Sequence, residues 1–357
     1  MPRRSALVLA ACVCVASLVG CTGPTDPHRP LDAESPAVVE ELSVDATSTA
    51  FVLGDRMMHA FDGFTGDPAT MSSIQEQLAL VDVVLIGELH DDRAAKLIQR
   101  RLTAAALPGP EAGGALSLEM LERGRAEDDS LRAWPDQGEG YRRTIRLVRR
   151  LGLPVVPANA PREAAAKARV EGLDALEDSR DYEVPTEDDR ALLVGYRERF
   201  GEVMRELKGR ANASAATTRP GFEIDDFFDA QLVWDVTMAD SIRTARRQHG
   251  RPVVHLSGAF HTDFDGGLTV LLEERDNLRV MTVSLLPLDV QRLRPDDVGR
   301  ADLVIYTGSE RLPAPEITTR PARRLPTTLP ATQPTTMPAT MPTTMPATRP
   351  VTRSSQL

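Results

Sequence analysis

Cysteine is almost absent from this chain, and several familiar motifs of catalysis are missing altogether. Three cysteines occur in 357 residues, and two of them, Cys12 and Cys14, lie in an N-terminal segment that we expect to be removed. Cys21 then remains alone, which excludes a disulfide framework and a cysteine-based zinc site in the mature monomer. The chain contains no Gly-x-Ser-x-Gly, Walker A or Gly-x-Gly-x-x-Gly motif. An α/β-hydrolase serine site and a nucleotide-binding fold therefore have no support.

Positive charge is in short supply over the central part of the sequence. The whole chain has a net charge of −10. Residues 1–20 contain two arginines, and residues 311–357 contain six arginines and one glutamate, so residues 21–310 carry −17. Such an acidic body gives no support to nucleic-acid binding, because phosphate contacts require an excess of lysine and arginine.

The N-terminus has the organisation of a secretory signal. Arg3 and Arg4 precede an apolar run over 6–19, and small residues lead into Cys21. This run is too short for a membrane span and is typical of a cleaved signal peptide. Residues 18–21, Leu-Val-Gly-Cys, resemble a bacterial lipobox, which predicts that Cys21 is lipidated (palmitate and related chains) and anchors a lipoprotein in the membrane. The alternative is an ordinary signal peptide followed by a chance cysteine.

Both ends differ in composition from the rest of the chain. Proline recurs at every fourth position from 326 to 350, which excludes a helix there. We therefore predict a signal peptide over 1–20, a tether over 21–45, an α/β domain over 46–310 and a disordered Pro/Thr-rich tail over 311–357. An inert spacer is the simplest role for this tail.

Short apolar runs alternate with longer amphipathic stretches across the predicted domain. Strands are predicted over 81–86, 115–118, 154–157, 252–256, 279–284 and 303–306. Helices are predicted over 92–105, 138–151, 161–168, 222–248 and 267–275. Apolar strands separated by helices favour an α/β fold, with a mostly parallel sheet and helices on both faces. A charged helical stretch interrupts this alternation, so we expect a small helical subdomain over about 175–221.

Polar side chains follow four of the predicted strands. The first strand leads to Glu88 and His90, which lie two residues apart and so point to the same side of an extended segment. The next three strands lead to Glu119, to Asn159 with Arg162, and to His261. Each residue alone is equally well explained by a polar turn. Because sites in such sheets lie beyond the carboxyl ends of the strands, the four together predict one shared site.

A long predicted helix adds two polar residues. Gln231 and Asp235 lie four apart and share a face, so they either contact the strand-end site or lie on an exposed edge of the helix. Histidines with carboxylates suit a divalent metal or general acid–base chemistry, and Arg162 at a helix start suits an anionic group. Asp91 and Asp92 are adequately explained as helix-capping residues, and His255, inside an apolar run, as a structural residue.

Five motifs occur in the order in which the ChaN-like haem-binding uptake proteins of the Tiki superfamily carry them. They are VVLIGELHDD, LSLEM, GLPVVPANAPREAAAKARVEGLDAL, DAQLVWDVTMADSI and LSGAFHTDFDGG. The sequence resembles this family over about residues 50–306. TraB-type and erythromycin-esterase-like proteins are further relatives within the superfamily. The site positions that match by motif are Gly87, Glu88, His90, Glu119, Asn159, Arg162, Gln231, Asp235 and His261.

The resemblance implies an extracytoplasmic, membrane-anchored protein of the cell envelope that binds haem, at a homodimer interface, for haem or iron uptake. Among the four tyrosines, Tyr196 on the helical subdomain is the predicted haem-iron ligand, and a surface tyrosine without this role is the alternative. Ligand-binding roles are expected for Gly87, Asn159, Arg162, Gln231 and Asp235.

The superfamily relatives imply a second hypothesis, a metal-dependent hydrolase in which Glu88, His90, Glu119 and His261 are catalytic with a divalent metal. The sequence leaves open whether the protein is an enzyme.

Overall fold

The computed structural model describes residues 50–53, 56–134, 137–214 and 224–308. They include one eight-stranded sheet with the strand order β1-β2-β8-β7-β3-β6-β4-β5. The strands are β1 (Ala50–Leu53), β2 (Arg56–Asp62), β3 (Val83–Glu88), β4 (Ala115–Glu122), β5 (Val155–Asn159), β6 (Val253–Gly258), β7 (Val280–Leu286) and β8 (Leu303–Tyr306). All six predicted strands are present, and the pairings among β3 to β8 are parallel. The predicted α/β class with a mostly parallel sheet is confirmed.

The hairpin β1–β2 was not predicted from the sequence. It adds two antiparallel strands at the edge next to β8, with His59 opposite Tyr306. The sequence of β2, RMMHAFD, lacks the β-branched residues that mark strands, so its pattern does not distinguish it from a loop or a helix. Pairing with β8, more than 240 residues away in the chain, supplies the hydrogen bonds that local sequence cannot indicate.

Helices cover both faces of the sheet. They are α1 (Met71–Leu78), α2 (Arg93–Ala106), α3 (Glu127–Leu131), α4 (Gly138–Arg150), α5 (Arg162–Glu171), α6 (Glu187–Leu192), α7 (Val194–Ser214), α8 (Ile224–His249) and α9 (Gly267–Val270). Alternate residues of β3 point to opposite faces. Val84 and Ile86 belong to a buried cluster with α1, α2 and α4, whereas Val83 and Leu85 belong to a second cluster with α5, α7, α8 and α9.

The predicted helical subdomain corresponds to α6 and α7, which follow a connecting segment after α5 that contains a short 3-10 turn. Tyr196 and Phe200 on α7 pack against Phe228 on α8 and against Phe260, with ring centroids 5.5 to 5.8 Å apart. These rings fix α7 to the second core cluster. The rest of the predicted excursion, residues 215–221, lies outside the described residues.

The predicted signal peptide, the lipidation site Cys21, the tether and the Pro/Thr-rich tail all lie outside the described residues. Among the helices that the structure does describe, none is both long enough and apolar enough to cross a membrane.

Candidate functional site

The ends of the neighbouring strands β3 and β6 bring three of the predicted site residues together with Glu119 of β4. Glu88 ends β3, His90 follows it, and His261 closes a 3-10 turn directly after β6. All four side chains are buried, with at most 4% of their surface exposed. We call Glu88, His90, Glu119 and His261 the strand-end cluster.

Strand β4 is longer than predicted. It continues to Glu122 rather than ending at Leu118, and its register with β5 shifts between these two residues. Glu119 therefore lies at an irregularity inside a strand and not at a strand end. The predicted end of β4 at Leu118 was wrong. The strand continues through the buried Glu119, whereas a charged residue after an apolar run normally indicates the end of a buried strand.

Glu119 lies between two histidines. Its Oε1 is 3.9 Å from His90 Nε2 and 3.6 Å from His261 Nε2, and its Oε2 accepts a hydrogen bond from the Gly258 amide at 2.6 Å. Burial raises the pKa of Glu119, but His261, His90 and the Gly258 amide together outweigh it and hold the pKa well below its usual range. Glu119 is therefore a carboxylate at neutral pH, and it favours a positive charge on either histidine.

Glu88 contacts two residues that do not follow any predicted strand, Lys96 and Tyr141. Glu88 Oε1 accepts hydrogen bonds from Lys96 Nζ on α2 and from the Tyr141 hydroxyl on α4. His90 Nδ1 lies 3.3 Å from the same oxygen and 3.1 Å from the Tyr141 hydroxyl. Lys96 Nζ also donates to the Tyr141 hydroxyl at 2.9 Å and to the His90 carbonyl at 3.2 Å.

Burial acts on both members of the Lys96–Glu88 pair. It raises the pKa of Glu88, but the charge of Lys96 and the contacts with His90 outweigh burial, and the net shift is downward. Burial also lowers the pKa of Lys96, against the attraction of Glu88. This geometry is satisfied by an ion pair, because an unpaired charge on either residue would have a high desolvation cost in this buried site.

The His261 side is oriented by α8. His261 Nδ1 lies 2.5 Å from Asp235 Oδ1 and 2.9 Å from Gln231 Nε2. A carboxylate at Nδ1 fixes the proton on that nitrogen and leaves Nε2 to face Glu119. Gln231 and Asp235 thus contact the cluster rather than lie on an exposed edge. Their predicted role in ligand binding remains a prediction.

Arg162 lies near the cluster and contacts it indirectly. It begins α5, its Nε is 3.4 Å from Glu122 Oε1, and its guanidinium lies 6.0 Å from the Trp134 ring centroid. The Trp134 ring is in turn 4.6 Å from the His90 ring. Arg162 is partly exposed, and its predicted role in binding an anionic group remains a prediction.

Asn159 and Gly87 have local roles in the structure. Asn159 Oδ1 accepts the Ala160 amide at 2.9 Å, which shapes the turn from β5 into α5. A Cβ on Gly87 would lie 2.3 Å from Thr262 Oγ1, so the glycine lets β3 approach the turn that carries His261. Ligand binding by either residue remains a prediction.

Tyr196 lies in the interior, in contact with the site. Its side chain is 3% exposed, and burial together with the charge of Asp235 raises its pKa well above the usual value. A tyrosine that binds haem iron does so as an accessible phenolate. In this conformation Tyr196 has neither property, so its prediction as the iron ligand requires the helical subdomain to move.

Some predictions from local pattern are confirmed by the structure. Asp92 is the N-cap of α2 and accepts the Ala94 amide at 2.9 Å. His255 lies wholly inside β6, where its Nδ1 is 3.0 Å from Ser117 Oγ, and burial lowers its pKa to about 3. It is therefore a neutral structural histidine, as its position in an apolar run predicts.

The residues described by the structure contain no group of three or more His, Cys, Asp or Glu side chains arranged to hold a metal ion. The reason is visible in the strand-end cluster, where the cation Lys96 already occupies Glu88 and where Asp235 is engaged by His261. The divalent-metal alternative from the sequence therefore has no support here, and the cluster is suited to proton transfer between histidines and carboxylates.

One family model matches this chain, and the other similarities are weaker. No curated protein matches the chain. A solved structure titled as cofacial heme binding to ChaN of Campylobacter jejuni is similar, with 15% identity, a TM-score of 0.49, and coverage of 70% of this chain and 96% of that one. The family described as haem-binding uptake, Tiki superfamily, ChaN matches residues 74–272, from α1 to beyond α9. Since that match spans more than half of the sequence, this chain belongs to the ChaN family of haem-binding uptake proteins in the Tiki superfamily.

Proposed function

We propose that this protein binds haem outside the cytoplasm, anchored to the membrane through lipidated Cys21, and serves haem or iron uptake. The family match over residues 74–272 is the observation that carries the proposal. It includes the sheet centre, the strand-end cluster and the described part of the helical subdomain. The lipobox at 18–21 supports the anchored, extracytoplasmic location.

The strand-end cluster does not fit a porphyrin. Its side chains are buried and joined by ion pairs, whereas a porphyrin needs an open, mostly apolar face. Haem would therefore bind elsewhere on the chain.

The tyrosines offer one accessible oxygen donor. Tyr141, Tyr196 and Tyr306 are each at most 3% exposed, whereas Tyr182 is partly exposed and its hydroxyl donates to the Glu177 carbonyl at 2.8 Å. Loss of that exposed hydrogen bond, with release of the hydroxyl proton to water on binding, would make the Tyr182 oxygen available to iron.

Tyr182 is one of several partly buried hydrophobic residues that pack against the second core cluster. Tyr182, Val184, Leu192 and Phe227 are all partly buried against the second core cluster. Arg169 lies over the Phe227 ring at 5.1 Å, and its charge suits a propionate. In this proposal Tyr182 would hold the haem through its side-chain oxygen, and the haem would supply the iron centre.

Hemin titration of the full-length mature protein, in parallel with Tyr182→Phe and Tyr196→Phe, tests the proposal. We expect saturable binding with a shifted Soret band and loss of the phenolate-to-iron charge-transfer band in Tyr182→Phe alone. Loss in Tyr196→Phe alone would mean that the helical subdomain opens and that Tyr196 is the ligand. Circular dichroism controls for folding, and an unshifted hemin spectrum at micromolar protein refutes haem binding.

The strand-end cluster supports a second candidate function, hydrolysis by general acid–base catalysis without a metal. Glu88 Oε2 is buried and has no hydrogen-bond partner among the described residues, although Oε1 of the same carboxylate accepts from Lys96 and Tyr141. A buried carboxylate oxygen in this state is a natural acceptor for a water molecule. His90, between two carboxylates, would then take the proton of that water.

Hydrolysis of a panel of chromogenic esters and amides tests this second candidate. Glu88→Gln should abolish any turnover, because it removes the negative charge of the carboxylate while it keeps the shape. Thr144→Ser, a buried conservative change on the same helix as Tyr141, serves as the control. Turnover that survives Glu88→Gln and His90→Gln would exclude the cluster as the catalytic group.

A further inference from the structure

A cleft of about 380 Å³ opens beside the strand-end cluster, between the N-terminal halves of α2 and α4. His90 and Lys96 of the strand-end region line it, and the remaining walls come from the two helices and the loop before α4. We call this space the α2–α4 cleft. Helices α2 and α4 pack on the first core cluster, whereas Tyr182 and Tyr196 pack on the second, so the cleft and the tyrosines lie on opposite faces of the sheet.

Basic side chains outnumber acidic ones around the cleft. The lining residues include Arg93, Lys96, Arg100 and Arg143, and only two carboxylates, Asp92 and Glu139. This excess occurs on a body whose residues 21–310 carry −17. The cleft is therefore a local positive site on an acidic protein, which favours small anions and disfavours large polyanions that would also meet the acidic surroundings.

Both carboxylates of the cleft are already engaged. Asp92 Oδ1 accepts the Ala94 amide at 2.9 Å, and its Oδ2 accepts the Thr307 hydroxyl at 2.6 Å. Glu139 pairs with Arg146 at 2.6 Å and with Arg143 at 3.4 Å. Lys96 is likewise balanced by Glu88. None of these pairs involves Arg93, which therefore adds positive charge to the cleft.

Two arginines of α2 share one face of the helix. Arg93 and Arg100 are seven residues apart, two helical turns, and both line the cleft. Arg93 is exposed at the N-terminus of α2, and no carboxylate of the described residues forms a salt bridge with it. The positive end of the helix dipole adds to its charge. An arginine in this position presents its full donor fork to a ligand.

Gly140 gives the cleft its shape next to Lys96. A Cβ on Gly140 would lie 2.8 Å from Lys96 Cγ, so the glycine allows the lysine stem to lie against α4. The stem forms part of the cleft wall while the ammonium group points inward to Glu88. The cleft thus leads from exposed arginines to the His90 ring.

We infer that the α2–α4 cleft binds a small molecule with a carboxylate or phosphate group, held by Arg93, Arg100 and Arg143. Arginine forks match both oxyanions in a bidentate manner, so the shared chemistry is an oxyanion of one or two negative charges. This site is separate from haem binding. It brings the rest of the ligand next to His90.

Isothermal titration calorimetry on the full-length mature protein, at constant ionic strength, tests the inference with inorganic phosphate and, separately, with succinate. We expect saturable binding of at least one probe and a loss of affinity of roughly tenfold in Arg93→Gln and in Arg143→Gln, since each removes a charge-assisted contact. The control is Arg149→Gln, which removes the same charge from the same helix α4 at an arginine paired with Glu127, outside the cleft. The probe that binds identifies the oxyanion.

Two results would overturn the inference. The first is no saturable binding of either probe. The second is an equal loss of affinity in Arg149→Gln, which would mean that the net charge of the protein, and not a contact in the cleft, determines the affinity. The hemin titration repeated with saturating probe distinguishes the sites. An unchanged hemin affinity is expected, and competition between hemin and the probe would refute a separate oxyanion site.

Discussion

The buried ion pair between Lys96 and Glu88 makes a quantitative prediction about stability. In Lys96→Met the side chain keeps its length and loses its charge, and Glu88, which is 1% exposed, loses its cationic partner. The Nζ contacts with the His90 carbonyl at 3.2 Å and the Tyr141 hydroxyl at 2.9 Å are lost as well. Removal of one member of a buried pair costs about 3–5 kcal/mol of unfolding free energy, because the remaining charge is left without compensation.

The cost should depend on pH in a defined direction. In the native protein the pKa of Glu88 is lowered, so its contribution to stability is present above the unfolded value of 4.5 and is lost as the pH falls through the folded pKa. Without Lys96, burial dominates and the pKa of Glu88 rises. The variant then regains stability relative to the parent as the pH falls from neutral towards that raised value, because Glu88 becomes protonated and neutral.

Urea denaturation followed by circular dichroism at several pH values measures both effects. The control Lys167→Met removes a partly buried lysine on α5, and it should change the unfolding free energy by about 0.5 kcal/mol or less. The double variant Lys96→Met with Glu88→Gln should recover most of the loss, since no buried charge remains. A cost below about 1 kcal/mol for Lys96→Met at neutral pH, or no recovery in the double variant, refutes the reasoning.

Three further predictions concern local packing, capping and lipidation. Gly87→Ala places a Cβ 2.3 Å from Thr262 Oγ1, so we expect a loss of roughly 1–3 kcal/mol by urea denaturation, partly recovered when Thr262→Ala is added. Asp92→Ala removes the cap on the Ala94 amide and should lower stability by about 1–2 kcal/mol, whereas Asp92→Asn should cost less. Cys21→Ser should abolish incorporation of labelled palmitate and release the protein from the membrane fraction, and continued labelling would contradict the lipobox interpretation.

Much of the fold follows from short-range patterns in the sequence. The six parallel strands are apolar runs, and one such run, Val83 to Ile86, is wholly buried on both faces as its lack of alternation predicts. Asp92 precedes an amphipathic helix and caps it. Glu88 and His90 converge with His261 because parallel strands end at one edge of the sheet. The strands and the helix cap depend on residues that are close in the chain, whereas the meeting of Glu88 with His261 follows from the general rule for parallel strands.

Other features depend on how distant elements pack. Lys96 lies on α2 and Tyr141 on α4, and only the packing of both helices against β3 brings them to Glu88. From the sequence alone, a lysine on an amphipathic helix is predicted to face solvent.

The burial of Tyr196 also depends on the packing of distant elements. Its place on a charged helix predicts exposure, but the rings of Phe200, Phe228 and Phe260 enclose that stretch and leave it 3% exposed. Burial and charge pairing are sums over contacts from the whole fold. The local pattern therefore identifies which residues can carry chemistry here, whereas the packing of helices on the sheet determines which of them are charged, buried or accessible.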